Sequence, residues 1–144
     1  ANWHRSHSFS PQRGQAAGPQ QAGWVRVDDA GTQIFPRTDA AIIVLLTDDR
    51  DRVLLGSNAL WEEDRFSLLA GYVEPGESLE DAVVREIAEE CGLRAVDPVY
   101  VASQPWPFPA SLMLGFRARV ASGEDPNAMT ADGEEIRALR WFTR

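Results

Sequence analysis

The sequence has little of several things, and each shortage excludes a class of protein. One cysteine, Cys91, among 144 residues excludes an internal disulfide and a cysteine-rich zinc site. The longest apolar run, residues 40–46, is far shorter than the ~20 residues of a membrane-spanning helix. Basic residues number 14 against 22 acidic ones, and the net charge of −8 disfavours nonspecific nucleic-acid binding. We therefore expect a cytoplasmic protein that does not enter a membrane.

What the sequence does contain is typical of one compact domain. Hydrophobic residues make up 44% and charged residues 25% of the chain, which is the globular range. A chain of 144 residues can bury one real hydrophobic core. Because its charge repels anions, a phosphate ligand would need a metal ion between it and the protein.

Local patterns predict mixed α/β structure. One helix is expected between Ser78, a good N-cap with Asp81 three residues on, and Gly92, a good C-cap. A short helix is expected over residues 134–138, and residues 1–22 are expected to form a loop. Strands are expected as a hairpin over residues 24–27 and 34–35, and over residues 40–46, 52–56, 66–70, 98–102, 112–120 and 139–142.

The longer predicted helix carries carboxylates where its buried face should lie. At about 100° per residue, Val83 and Ile87 define an apolar stripe. Leu79 completes this stripe. Glu90 falls within it, Glu86 falls at its edge, and Glu89 falls further out on the same flank. Like charges repel, and the repulsion grows on desolvation, so this cluster needs a cation. Hard oxygen ligands suit Mg²⁺ or Mn²⁺; the alternative is a solvated acidic face.

These glutamates belong to a longer pattern that resembles the Nudix box. The box is Gly, five residues, Glu, seven residues, Arg-Glu-aliphatic, any residue, Glu-Glu, any residue, Gly-aliphatic. Residues 71–93 match it at each fixed position, namely Gly71, Glu77, Arg85, Glu86, Ile87, Glu89, Glu90, Gly92 and Leu93.

The resemblance implies a metal-dependent enzyme and a ligand set. It assigns Mg²⁺ or Mn²⁺ to Glu86, Glu89 and Glu90, and makes Glu135 a distal metal ligand or base. Glu77, in the loop before the helix, can supply a further carboxylate. These glutamates are the expected catalytic and metal-binding residues.

A second motif over residues 103–111 resembles the signature of the NADH pyrophosphatase subgroup. Its three prolines alternate with Trp106 and Phe108, which favours a stiff loop that shapes a pocket for a flat base. The alternative is a connector whose aromatics lie in the core. Arg85 is expected to hold Glu89 by an ion pair, and with Gly71 to orient the site. The expected substrate-binding residues are Phe35, Tyr72, Gln104, Ser111 and Ala70.

The sequence departs from the subgroup at its start. Members often carry a zinc ribbon ahead of the catalytic domain, but the first cysteine turn reads Ser10-Pro11-Gln12-Arg13-Gly14 here, and the second pair falls at Val27 and Ala30. We therefore expect no zinc, and a metal-free hairpin packed by three aromatic residues. The expected organisation is a zinc-ribbon-like segment over residues 1–36 and a Nudix domain over residues 37–144 that ends early. The aromatic residues are Trp3, Phe9 and Trp24.

The resemblance implies an α/β/α sandwich with a mixed central sheet, and a homodimer. The implied reaction is hydrolysis of the pyrophosphate bond of NADH or NAD to nicotinamide mononucleotide and AMP, or of the same bond at the 5′ end of NAD-capped RNA. Alternatives are a generic nucleoside-diphosphate-X hydrolase and a catalytically silent binding module. Cys91 is expected to be structural, since no histidine lies near it in sequence.

Overall fold

The computed structural model describes residues 2–143, which group into two compact units. The first unit contains the chain up to Asp39 together with Trp106–Ser111, and the second contains Ala40–Pro105 together with the chain from Leu112 onward. The division between residues 36 and 37 stays a prediction. Within residues 2–143, no helix is long and apolar enough to cross a membrane.

The first unit contains a three-stranded antiparallel sheet. It has helix α1 (Asn2–Ser6) and strands β1 (Gly18–Gln20), β2 (Val25–Val27) and β3 (Gln33–Ile34), in the order β1-β2-β3. The predicted hairpin is confirmed, because β2 pairs antiparallel with β3. The predicted loop over the first 22 residues is wrong, since α1 and β1 form there. Strand β1 exists through its pairing with β2, which a local hydrophobic period does not reveal.

One aromatic residue packs inside this hairpin unit. Trp3 is buried, but Phe9 and Trp24 are exposed, so the expected packing by all three was wrong. A buried polar side chain also stabilises this unit. Arg26 is buried and donates hydrogen bonds to the carbonyl oxygens of His4, at 3.3 Å, and Ala17.

The second unit is built on a six-stranded sheet, which confirms the predicted α/β class. Its strand order is β7-β8-β4-β5-β9, with β6 paired to β4. Most predicted strands are present, although the one expected over residues 66–70 begins later and the one over residues 98–102 is longer at both ends. The strands are β4 (Asp39–Thr47), β5 (Val53–Asn58), β6 (Leu69–Tyr72), β7 (Ala95–Trp106), β8 (Ser111–Val120) and β9 (Ile136–Phe142).

The short helix predicted over residues 134–138 is wrong. The Asp132 carboxylate accepts hydrogen bonds from the backbone N–H groups of Glu134, Glu135 and Ile136 at 3.0, 3.1 and 2.8 Å, which closes a turn. The chain then pairs with β5 as strand β9. The turn and the pairing use the N–H groups that a helix would need.

Helix α2 (Leu79–Cys91) covers the core of the second unit. Its predicted caps are confirmed: Ser78 Oγ accepts the Asp81 N–H at 3.1 Å, and Gly92 adopts a left-handed φ of 72°. Cys91 is buried, its thiol donates to the Ile87 carbonyl oxygen, and burial raises its pKa to about 11, so it belongs to the core. The fully buried core includes Ile42, Val44, Leu46, Leu54, Val83 and Ile87.

Candidate active site

Glu90 breaks the usual rule that a helix buries only apolar side chains. It is 3% exposed, and the Ala70 backbone N–H donates to its carboxylate. Its other oxygen, Oε2, is buried without a hydrogen-bond partner. Burial raises the pKa of Glu90 to about 8, and the charges of Glu86, Glu135 and Asp132 act in the same direction. An unpartnered buried oxygen among hard carboxylates is a donor set that fits a divalent cation.

The Glu86 carboxyl group occupies the space that a side chain at position 71 would fill. A Cβ placed on Gly71 would lie 1.9 Å from the carboxyl carbon of Glu86 and 2.0 Å from one of its oxygens. Burial raises the pKa of Glu86, and hydrogen bonding from Arg85 partly opposes that rise. Gly71 and Glu86, which the sequence pairs only as fixed positions of one motif, are therefore in direct contact.

Arg85 is the cation that binds the carboxylates together. Its Nε atom donates to Glu77 Oε1 at 2.8 Å, and its Nη2 atom donates to Glu77 Oε2 at 2.9 Å. Its Nη1 atom bridges Glu86 at 2.9 Å and Glu89 at 3.0 Å, so the predicted ion pair with Glu89 is confirmed. Nη2 also donates to the Tyr72 carbonyl oxygen at 2.9 Å. Hydrogen bonding to Arg85 lowers the pKa of Glu77 to about 2.

The remaining predicted carboxylates face solvent. Glu89 has a side chain that is 62% exposed, as expected for the flank of the apolar stripe. Glu135 is exposed, and its charge raises the pKa of both Glu86 and Glu90. In the described part of the chain, no three His, Cys, Asp or Glu side chains already converge as metal ligands. Arg85 instead supplies the positive charge that three of the carboxylates contact.

Asp132 is a residue that the sequence analysis missed. It closes the turn before β9, and its negative charge contributes to the raised pKa of Glu90. The Asp132-Gly133 pair signals a turn and nothing about the distant helix. Asp132 therefore enters the site only through the fold.

Two candidate substrate-binding side chains of the second unit are exposed. Tyr72, at the end of β6, is 54% exposed, so its ring is not packed in the core. Gln104 is exposed on β7, a strand at the edge of the sheet. Ala70 is half-buried and contributes the backbone N–H that Glu90 accepts.

The other candidates belong to the first unit. Phe35 is exposed, whereas Ser111 is buried at the start of β8. Trp106 and Phe108 are both exposed and meet edge to face, with ring centroids 5.9 Å apart. The alternative in which these two aromatics fill a core is therefore wrong.

Comparison with known proteins decides the family. A family model described as the NUDIX domain matches residues 36–144. The chain belongs to the Nudix family. Nudix hydrolases generally use divalent cations such as Mg²⁺ or Mn²⁺.

Two curated Nudix relatives align with nearly the whole chain. The NAD-capped RNA hydrolase NudC of Mycobacterium bovis is 49% identical over 144 residues, which are 99% of this chain and 45% of that protein. The human NAD-capped RNA hydrolase NUDT12 is 37% identical over 152 residues, covering 99% of this chain and 32% of that protein. The chain thus spans less than half the length of these relatives.

A solved structure supports the Nudix fold independently of these relatives. A NUDIX hydrolase from Nitrosomonas europaea superposes with a TM-score of 0.74 over 94% of this chain and 77% of its own chain. The two sequences are 19% identical, so this likeness bears on the fold alone.

Proposed function

We propose that this Nudix chain hydrolyses the pyrophosphate bond of NADH or NAD and releases nicotinamide mononucleotide and AMP. One observation carries the proposal: Glu90 Oε2 is buried without a partner and lies within the negative field of Glu86 and Glu135. Such an oxygen is costly unless a cation completes it. The names of the two curated relatives support a dinucleotide with a nicotinamide end.

The box glutamates have distinct roles in this proposal. Glu86, Glu89 and Glu90 hold Mg²⁺ or Mn²⁺, with Glu135 as a distal ligand or as the base. When bound, the cation neutralises the pyrophosphate and lowers the pKa of a water molecule. Both oxygens of Glu77 accept from Arg85, so Glu77 fixes Arg85 rather than the metal.

Hydrolysis requires an acceptor for the proton of the attacking water and a leaving group at phosphorus. Glu135, which is exposed, or one of the box glutamates takes the proton of the attacking water. The water oxygen bonds to one phosphorus, the bridging P–O bond breaks, and the bridging oxygen leaves on the second mononucleotide. Arg85 Nη1 donates to Glu86 and Glu89 and so orients both carboxylates for the cation.

Substrate contacts come from the residues that the resemblance implies. Tyr72 stacks on a base and Gln104 contacts the dinucleotide, and both are exposed. Ala70 is a further proposed contact of the second unit, and Phe35 and Ser111 are proposed contacts of the first unit. The same bond occurs at the 5′ end of NAD-capped RNA, where the net charge of −8 favours contact with the cap over a grip on the RNA backbone.

Hydrolysis of NADH with and without Mg²⁺ tests the proposal, with products separated by chromatography. The parent chain should release AMP and reduced nicotinamide mononucleotide, and Glu89→Gln should lose at least about 100-fold in kcat. Glu80→Gln is the matched control, because Glu80 is exposed in the first turn of α2 and lies outside the cluster. A parent chain that binds NADH and Mg²⁺ without cleaving it would favour the binding-module alternative.

The assembly and location remain part of the proposal. A homodimer follows from the family resemblance, and sedimentation of the chain at several concentrations tests it. A cytoplasmic location rests on the single cysteine.

A further inference from the structure

The end of strand β6 contacts the functional face of α2 at three consecutive residues. Ala70 donates its N–H to a carboxylate, Gly71 leaves room for a second carboxylate, and Tyr72 accepts a hydrogen bond on its carbonyl oxygen. The partners on α2 are, in order, Glu90, Glu86 and Arg85.

These contacts connect α2 to the backbone of β6, which is itself paired with β4. Ala70 and Gly71 pair with Ile43 and Ile42 of β4, so their backbone cannot move independently of the sheet. Tyr72 follows directly, and its exposed ring extends from the same backbone. A change at the α2 carboxylates therefore reaches the Tyr72 ring through one strand end and one guanidinium.

The direction of the effect follows from competition for Arg85. Its guanidinium is shared among Glu77, Glu86, Glu89 and the Tyr72 carbonyl oxygen. Glu86 and Glu89 would hold a divalent cation, and their carboxylates would then be less available to Nη1 of Arg85. The Glu77 and Tyr72 contacts then remain as the hydrogen bonds of the guanidinium, and Tyr72 is held more firmly.

We propose that metal binding at the box glutamates and base binding at Tyr72 are thermodynamically coupled through Arg85. This inference rests on the proposed function, since it takes the base contact of Tyr72 and the cation site from there. Coupling of this kind is reciprocal, so each ligand strengthens the other by the same factor. Arg85 thus acts as a positioning residue for substrate recognition as well as for the carboxylates.

The test uses probes without phosphate, because a phosphate could bridge to the cation directly. The affinities of adenosine and nicotinamide riboside are measured by NMR titration, once with a chelator and once with saturating Mg²⁺. We expect Mg²⁺ to tighten binding of at least one probe by about fivefold or more. The proposal is overturned if each probe binds as tightly in the presence of the chelator as it does in saturating Mg²⁺.

Variants assign the effect to Arg85. Arg85→Lys keeps the positive charge, but an ammonium group cannot contact Glu77, Glu86, Glu89 and the Tyr72 carbonyl oxygen at once. The ratio of the probe affinity with Mg²⁺ to the probe affinity without it should therefore fall to about one. Arg119→Lys, which alters an exposed ion pair with Asp97, should keep the parent ratio. A parent-like ratio in Arg85→Lys overturns the route through Arg85. In the parent chain, saturating probe must also tighten Mg²⁺ binding by the same factor, which is a check that needs no variant.

Tyr72→Ala separates this inference from the proposed function. If the variant binds both probes as tightly as the parent, the base assignment in the proposed function fails. If it loses the probes while the parent shows no Mg²⁺ effect, the assignment stands and the coupling alone is overturned.

Discussion

At the scale of single residues, the contact between Gly71 and Glu86 gives the sharpest prediction. Gly71→Ala places a methyl group in the position of the Glu86 carboxyl group, which must shift by an ångström or more. A misplacement of that size costs on the order of 100-fold in kcat, and we expect this loss in NADH hydrolysis. Gly18→Ala is the control, because no atom lies within 4 Å of the added Cβ. Parent-like kcat in Gly71→Ala would show that Glu86 is not needed in its present position.

The residue scale also shows what the sequence could predict. The helical period alone predicts Glu90 on the apolar stripe, and Glu90 is buried there. The contributions of Glu135 and Asp132 depend on a turn and a strand far along the chain, and no local period carries such a contact. Motif resemblance supplied Glu135, whereas nothing in the sequence supplied Asp132.

At the scale of elements, the start of α2 depends on one hydroxyl group. Ser78 Oγ caps the helix through the Asp81 N–H and also donates to the Asp81 carboxylate at 2.7 Å. Ser78→Ala should lower the free energy of unfolding by about 1 kcal/mol in urea denaturation. Ser78→Asn can still cap the helix and should keep most of that stability. Equal losses in both variants would mean that the cap contributes nothing.

The turn between β4 and β5 gives a pH prediction. Burial alone would raise the pKa of Asp48, but hydrogen bonds from Arg52 and Arg50 outweigh it and hold the pKa below the usual 3.8. The stability from this carboxylate is therefore complete above about pH 4 and is lost as pH falls through the lower folded pKa. Asp48→Asn should cost about 1–2 kcal/mol near neutral pH, and the difference from the parent should shrink in acid.

Urea denaturation of the parent and of Asp48→Asn at several pH values measures the difference between their free energies of unfolding. Asp49→Asn is the control, since Asp49 is exposed in the same turn. A difference between Asp48→Asn and the parent that stays constant into strong acid would contradict the assignment of the effect to ionised Asp48.

The elements that were predicted poorly share a cause. The run over residues 134–138 is too short to carry a helical period, and Asp132 together with β5 decides its conformation. Strand β7 was expected to end before Pro105 and to begin at Pro98, yet it continues through both. Proline is tolerated there because β7 is an edge strand, and only the assembled sheet reveals that edge.

At the scale of the whole molecule, the chain has two units that are stabilised by different means. The second unit has a continuous apolar core, with Ile42, Val44 and Leu54 fully buried. The first unit has few buried apolar side chains, among them Trp3, Ala17 and Val25. Small units with so little core generally need a metal, a disulfide or a polar network.

Asp28 is the centre of such a polar network in the first unit. Its Oδ1 atom accepts the N–H groups of Ala30 and Thr32 at 3.0 and 2.8 Å, and its Oδ2 atom lies 3.9 Å from Arg13 Nε. Ser10 is buried where the zinc-ribbon pattern has a cysteine, and its Oγ atom, like Asp28 Oδ2, has no hydrogen-bond partner in the described part of the chain. Asp28 therefore joins the turn over residues 10–14 to the turn over residues 28–32.

We predict that Asp28→Ala unfolds the first unit locally while the second unit stays folded, because the removed carboxylate leaves the N–H groups of Ala30 and Thr32 unsatisfied. Amide hydrogen exchange should speed up by about tenfold or more at Val25–Val27 and Thr32 but not within Leu79–Cys91. Gln12→Ala, exposed in the turn over residues 10–14, serves as the control and should exchange like the parent. A strong zinc chelator should leave exchange in the parent unchanged. If the chelator instead accelerates exchange at Val25–Val27, a bound metal rather than Asp28 stabilises the first unit.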